Sequence, residues 1–366
     1  MRDHVEKDFS HEPVLLTETL STLVFDDASL TPLFERGRKE VRLVDCTLGG
    51  AGHARAMVVA LSKRLEAHAQ ARGEPAPHIL LVGFDRDAIA REASTARLHA
   101  LAASLPSFRY ELVPQNFADA KETLRARFGP FSVDLLLADF GVSSPQLDVA
   151  DRGFSFQRAG PLDMRMDPRE QTTARTILET YDAQSLTALF RESGEEPRAR
   201  KLAEAVVADR TKGTLPLSNT VDFAAWAARV LGYHNSRVHP ATRIFQALRI
   251  EVNRELEAIE ALLDAVPLLL GAHGRAGFIS FHSLEDRLVK RRMRAWQAAK
   301  ARAPEGREED SPRPPWEEPR TWGREHPRGG LVAGDDEGRM NPRARSARLR
   351  VFRFGGLEDR EEFMAR

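Results

Sequence analysis

A single cysteine, Cys46, is all the thiol chemistry available to this chain of 366 residues. One thiol excludes an intramolecular disulfide and any zinc site built from several cysteines. A reducing, cytoplasmic setting is therefore expected. Long hydrophobic runs are absent as well: no stretch approaches the ~20 consecutive apolar residues of a membrane helix. The first residues, Met1-Arg2-Asp3-His4-Val5-Glu6-Lys7-Asp8, lack the apolar segment of a secretory signal. An excess of charge of one sign is missing too. The 54 basic and 54 acidic residues cancel, so no global field draws the chain to nucleic acid, and such contacts must come from local patches.

What is present is globular, with 42% apolar and 30% charged residues. At this length one ordinary core does not suffice, and a large domain with an inserted or appended one is expected. Short apolar runs ending in a polar or acidic residue read as strands of a buried parallel sheet. They are Val41–Asp45, Ile79–Asp85, Val133–Asp139, Gly277–Phe281 and Leu349–Phe354, with Arg109–Val113 a weaker candidate. Helical patterns lie between them, from Ala51 to about Ala69 and from Arg86 to about Ala103. A third, from Glu251 to about Leu263, places Val252, Leu256, Ile259 and Leu263 on one face. The alternation predicts an α/β fold with a mostly parallel, doubly wound sheet.

From about Asp151 to Ala247 the alternation stops. Helical segments Ala174–Arg191, Arg198–Arg210 and Val221–Leu231 remain without a convincing strand. The division expected is a discontinuous sheet domain, 1–150 plus 248–366, and an inserted all-helical subdomain for substrate recognition, 151–247. The stretch 303–342, rich in Pro, Gly, Arg and Glu, reads as a mobile surface loop.

Two motifs carry chemistry. Val44-Asp45-Cys46-Thr47-Leu48-Gly49-Gly50-Ala51-Gly52-His53 follows a strand and opens a helix. Its glycines let the backbone turn sharply and approach a ligand, and the first helical N–H groups can receive a polar group. Glycine-rich turns follow many strands, so this signal alone is weak. Asp85, ending the second strand, stands where nucleotide-binding folds use an acid for the ribose hydroxyls, and Asp139 ends a further strand. Either acid alone could merely cap the next helix; three strand-end acids in register are harder to dismiss.

The second motif is Asp139-Phe140-Gly141-Val142-Ser143-Ser144-Pro145-Gln146-Leu147-Asp148. It resembles the acid-then-proline loop of methyltransferases that act on exocyclic amines. Such an amine is a poor nucleophile because its lone pair is delocalised into the ring. Accepting its hydrogens localises that pair toward an incoming methyl group. A turn without a functional role is the alternative.

Taken together, the chain resembles the RsmH/MraW family of bacterial small-subunit rRNA cytosine-N4 methyltransferases. The likeness runs from His11-Glu12-Pro13-Val14-Leu15-Leu16 through both motifs. It continues in Arg152-Gly153-Phe154-Ser155-Phe156, in Gly160–Asp167 and in His239–Ile250. Ser280–Arg287 and Asn341–Ser346 complete it. The resemblance implies a Rossmann-like class I methyltransferase that uses S-adenosyl-L-methionine, with cofactor contacts at Ala51, Gly52, His53, Asp85, Phe117, Asp139 and Gln146. It implies amine recognition by Asp139 and the Ser143-Ser144-Pro145 loop, with Asp163 and His282 as further candidates, and no metal. The implied partner is 16S rRNA within the 30S subunit, at a cytidine of the decoding region, with neither DNA nor membrane. The oligomeric state stays open, a dimer included. Phe140 stands where the family usually has Leu, and the stretch before Asn341 is long for the family.

Local charge offers two RNA-contacting sets: Arg287, Lys290, Arg291, Arg292, Arg294, Lys300 and Arg302, then Arg343, Arg345, Arg348, Arg350 and Arg353. The first could equally be a solvated helix face, and the second could be structural. Phe154, Phe156 and Arg165 could widen an RNA surface or belong to the core. Two rival functions are a DNA amine methyltransferase and a ribosome-assembly factor without turnover.

Overall fold

The structure is a computed structural model that describes residues 13–25, 39–232, 239–298, 321–357 and 360. His11, Glu12, Lys300, Arg302 and the segment 303–320 lie outside the described residues. Two compact units are present: Val142–Glu257, and Glu12–Gly141 with Ala258–Arg366. Their boundaries differ from the expected 151 and 247, because contacts assign the chain directly after Gly141 to the helical unit.

The second unit is built on an eight-stranded sheet. Its strands are β1 (Glu40–Asp45), β2 (His78–Phe84), β3 (Phe108–Val113), β4 (Val133–Asp139), β5 (Leu270–Ser280), β6 (Gly323–Glu325), β7 (Leu331–Val332) and β8 (Arg348–Phe354). The order is β3-β2-β1-β4-β5-β8-β6, with β7 also on β8. β1 to β5 pair in parallel, whereas β8 is antiparallel to β5, β6 and β7. This is the mostly parallel doubly wound sheet that the strand pattern predicts.

Side chains alternate across a strand, so the apolar runs divide between two cores. Val41, Leu43, Ile79, Leu81, Leu135 and Leu137 face one, where α1 (Gly52–Arg72) and α2 (Ala88–Ser104) contribute Met57, Leu61, Leu65 and Leu98. Val44, Val82, Phe84, Leu136 and Phe278 face the other. There α3 (Ala120–Phe128) supplies Leu124, α10 (Glu255–Leu269) supplies Ile259, Leu262 and Val266, and α11 (Ser283–Ala298) supplies Val289, Met293 and Trp296. Each such large side chain stabilises the fold by about 1.5–3 kcal/mol on burial. Coverage on both faces is why the runs are continuous rather than alternating.

Two expectations need correction. The helix read from Glu251 to Leu263 is broken at Arg254, whose left-handed φ of 49° separates Ala241–Asn253 from α10. Val252 therefore belongs to the earlier helix and packs in the helical unit. The supposed loop 303–342 is ordered in its described part, where β6, β7 and a short helix, Asp335–Met340, occupy it. Backbone pairing with β8, together with an Arg350–Glu325 ion pair at 2.6 Å, supplies what composition could not forecast.

The helical unit holds α4 (Ser144–Asp148), α5 (Ala174–Thr180), α6 (Ala183–Glu192), α7 (Ala199–Thr211), α8 (Thr220–Leu231) and α9 (Ala241–Asn253). Its core includes Ile177, Leu186, Phe190, Leu202, Phe223 and Leu248. Phe154 is buried there and belongs to the core, whereas Phe156 is half-buried and packs on Phe245 with ring centroids 4.9 Å apart. Gly153 sits at φ 72°, where an added Cβ would lie 2.0 Å from the Pro161 carbonyl oxygen. Backbone cannot yield there. Gly153→Ala is expected to cost roughly 2–4 kcal/mol in urea denaturation.

Candidate active site

The glycine loop is seated by a close approach. Gly83 on β2 leaves room for Leu48, whose Cδ2 would lie 2.8 Å from a Cβ at that position. Leu48 N–H donates to the Phe84 carbonyl at 3.0 Å, which fixes the loop against the end of β2. Gly49 and Ala51 both take left-handed φ, 51° and 60°. Gly52 then opens α1, and a Cβ on it would meet Pro13 Cγ at 2.6 Å.

Around this loop stand the carboxyl ends of three neighbouring strands. Asp45 ends β1 and accepts from Thr47 N–H at 3.0 Å. Asp85 follows β2; its Oδ2 accepts from Gly49 N–H at 2.9 Å and its Oδ1 from Asp87 N–H at 2.8 Å. Asp139 ends β4 and donates its own N–H to Thr47 Oγ1 at 2.6 Å. Thr47 thus ties the first strand-end acid to the third. The spacing arguments missed it, although its place directly after Asp45-Cys46 could have signalled a short polar tie.

One feature of Asp139 stands out chemically. Oδ2 lies 3.6 Å from His53 Nδ1. Oδ1 is buried without a hydrogen-bond partner among the described residues. Such an acceptor costs about 1–3 kcal/mol of desolvation unless something bonds to it. Burial pushes the Asp139 carboxyl well above the ordinary range, with the charges of Asp45 and Glu285 adding to it. Burial also pushes Asp45 up to about 7 and Asp85 up to about 6. Glu285, fully buried at the start of α11, accepts from Phe281 N–H at 2.7 Å. Asp45, Asp85, Asp139 and Glu285 gather four carboxyl groups here, and a cationic ligand among them would favour their ionised forms.

Phe117 lies on a short 3-10 turn after β3, and its ring packs on Phe140 with centroids 6.0 Å apart. Phe140 in turn stacks on Phe278 at 6.2 Å, so the departure from Leu is absorbed by an aromatic core. Ala51, Gly52, His53, Asp85, Phe117 and Asp139 all fall in the sheet unit. Ser143, Ser144, Pro145 and Gln146 fall in the helical unit. Gln146 is buried, and its Oε1 accepts from Ser143 N–H at 3.0 Å. His53, expected as a cofactor contact, directs both ring nitrogens into protein: Nε2 reaches the Val14 carbonyl at 3.0 Å.

The lesser candidates are held by local pairs. Asp163 is gripped by Arg165 at 2.7 and 2.9 Å. Arg165 also donates to the Pro168 and Glu170 carbonyls, which ties it to its own loop. His282 Nε2 lies 3.0 Å from Glu285 Oε1. Of the basic sets, Arg350 is buried between Asp286 and Glu325, and so is structural. Arg345 and Arg348 donate to the Gly338 and Gly329 carbonyls. On α11, Arg291 pairs with Glu260 and Arg292 with Asp264, whereas Lys290 and Arg294 are exposed.

Comparison with known proteins matches residues 8–355 to the family described as the MraW methylase family. This chain belongs to that family. A relative from Acidithiobacillus ferrooxidans, described as "Ribosomal RNA small subunit methyltransferase H", is 41% identical over 352 residues, 96% of this chain and 97% of that protein. One of the same description from Thermomicrobium roseum is 43% identical over 79% of this chain and 78% of that protein. A third, from Chlorobium luteolum, is 40% identical over 96% and 98%. Among solved structures, an S-adenosylmethionine-dependent O-methyltransferase from Thermotoga maritima aligns at a TM-score of only 0.31 and 9% identity, covering 94% of this chain and 72% of that one.

S-adenosyl-L-methionine is the cofactor of this methylase, and the residues present fit it. Each Asp85 oxygen accepts a single backbone N–H, which leaves lone pairs for the two ribose hydroxyls. Left-handed backbone at Gly49 and Ala51 keeps side chains out of the loop's path, and the carboxylates balance a sulfonium charge. Among the described residues, no helix is long and apolar enough to cross a membrane.

The raised carboxyls make stability fall with pH. Their folded values lie above the unfolded one, so their contribution is present below about 4 and lost as pH rises through about 6 for Asp85 and about 7 for Asp45. His53, pushed down to about 4 by burial, acts oppositely, and its contribution is lost as pH falls from 6.5 toward 4. Asp45→Asn keeps the Thr47 acceptor and removes the charge. It is expected to stabilise the cofactor-free methylase by about 2–4 kcal/mol at pH 8 and by far less at pH 5. Denaturation midpoints at the two pH values check this.

Proposed function

We propose that this methylase transfers a methyl group from S-adenosyl-L-methionine to the exocyclic N4 of a cytidine in the decoding region of 16S rRNA, within the 30S subunit. The observation that carries the reading is Asp139 Oδ1, a buried acceptor without a partner among the described residues, at the end of the central strand beside the glycine loop. The printed description of the relatives, ribosomal RNA small subunit methyltransferases, supports the substrate class.

When bound, the cofactor supplies a sulfonium-activated methyl: the N–C bond forms as the C–S bond breaks and its electron pair passes to sulfur. Asp85 holds the ribose end, and Phe117 offers an apolar wall for the adenine. Asp139 Oδ1 accepts a hydrogen of the target amine, which localises the nitrogen lone pair, and its carboxylate takes the proton that nitrogen must shed. The loop that follows in the chain, Ser143-Ser144-Pro145, carries hydroxyls of the type that can accept the second hydrogen. Burial at Asp139 strengthens these contacts by excluding water. The reacting base must leave any stack, which is cheapest from a single-stranded or loop region.

Asp85→Ala is expected to weaken cofactor binding about 10–100-fold in calorimetry, the loss of two hydrogen bonds to a charged acceptor. Charge reversal of the exposed Lys290 and Arg294 to Glu is expected to weaken binding to 30S particles and flatten its salt dependence by roughly two phosphate contacts. The deciding experiment is labelled-methyl transfer to 30S particles, naked 16S rRNA and DNA, with nucleoside analysis of the product. N4-methylcytidine from 30S particles supports the proposal. Label appearing only in DNA, or in no nucleic acid, overturns it.

A further inference from the structure

We propose that His53 is a positioning residue for Asp139: its imidazole, anchored on the Val14 carbonyl, occupies one carboxyl oxygen so that the other is turned out as the acceptor. This rests on the reading of Asp139 given above. The geometry has three parts. His53 Nε2 lies 3.0 Å from the Val14 carbonyl oxygen. A carbonyl has no hydrogen to give, so the proton of that bond sits on Nε2. Nδ1 of the same ring then bears a lone pair, and it faces Asp139 Oδ2 at 3.6 Å.

A proton between Nδ1 and Oδ2 would draw the two groups together from that separation. The groups around the pair are themselves acidic: Asp45 and Glu285 act on Asp139, and Asp85 stands beyond Asp45. In that field, burial holds Asp139 well above the ordinary carboxyl range and the imidazole down to about 4. Oδ1 is the oxygen left without a partner among the described residues. The 3.6 Å between Oδ2 and Nδ1 is longer than a formed hydrogen bond, as catalytic contacts often are before a site fills. The Val14 anchor also has a support of its own, since Leu15 N–H donates to Glu337 Oε1 at 2.7 Å.

Two substitutions separate positioning from mere structure, because each keeps one end of the ring. Gln at residue 53 places its amide near Nε2 and keeps the Val14 contact; Asn places its amide near Nδ1 and keeps the contact with Asp139. If His53 positions Asp139, His53→Gln lowers kcat about 100-fold with cofactor affinity within 3-fold of the parent, and His53→Asn recovers most of that loss. The opposite ranking, Gln near the parent and Asn impaired, overturns the proposal. A second measurement needs neither turnover nor cofactor. Long-range nitrogen–proton NMR of the unliganded protein is expected to show the His53 proton on Nε2 and an Nδ1 resonance that moves in Asp139→Ala. A proton on Nδ1, or an Nδ1 resonance indifferent to Asp139→Ala, overturns the proposal while leaving the assignment of Asp139 to methyl transfer intact. Loss of that assignment would instead appear as normal turnover in Asp139→Ala.

Discussion

Asp139→Ala is expected to lower kcat for methyl transfer by at least about 10³-fold, with cofactor affinity changed far less. A cytosine amine gives its lone pair to the ring, so the transition state is reached only when its hydrogens are accepted as the N–C bond forms. A single preorganised group acting on developing charge is worth about 10²–10³-fold, and proton acceptance contributes about 10²–10⁴-fold. A thousandfold loss corresponds to about 4 kcal/mol of barrier. The position supports a value at the upper end, because Oδ1 is buried and meets no competing donor among the described residues. Asp139→Asn keeps an oxygen in the same place but cannot take up a proton, so it should fall between the parent and Ala. Single-turnover kinetics on 30S particles measures both. Near-normal turnover in Asp139→Ala would remove that carboxyl from the chemistry.

Arg350→Ala is expected to lower stability by about 3–5 kcal/mol. Arg350 is 5% exposed, and it donates to Asp286 at 2.7 and 3.0 Å and to Glu325 at 2.6 Å. Removing it strands Glu325 and leaves Asp286 only the longer 4.0 Å contact with Arg348, and one-sided deletion of a buried pair is costly. The damage should begin at β6, whose three residues hold to β8 partly through Glu325. Urea denaturation gives the magnitude, and hydrogen exchange at Arg324 and Glu325 locates it. Replacing all three partners with neutral residues of similar volume should restore most of the loss. If the triple replacement is as unstable as Arg350→Ala, stranded charge is not the cause.

The site was partly legible in the chain, for reasons that particular residues make plain. Asp45, Asp85 and Asp139 each close an apolar run, and parallel strands bring such ends to one edge of the sheet. Their register can therefore be read before the fold is seen. Glu285 could not be read this way, because its burial comes from a helix N-terminus packed beside the strand ends. His53 was legible as a member of the glycine motif, but not the direction of its side chain. That direction depends on Val14, a residue far away in sequence whose carbonyl has no signature at all. Arg350 stood in a basic set left open between RNA contact and a structural part, and its partners on α11 and β6 decide for a buried tie. Arg360 is the extreme case: a fully buried arginine that donates to the carbonyls of Pro267, Leu270 and Gly271 at the end of α10.

Periodicity and strand-end chemistry, which are local properties of the chain, determined by themselves the α/β class, the places of six of the eight strands, the glycine loop and the three acids. The family followed from motifs in order along the sequence. Tertiary structure alone decided which acids share a field, which acceptor lacks a partner and which arginines are internal. Those are properties of distance through space, and a buried charge is set by whatever the fold brings within a few ångströms of it, however far apart the residues lie in the chain.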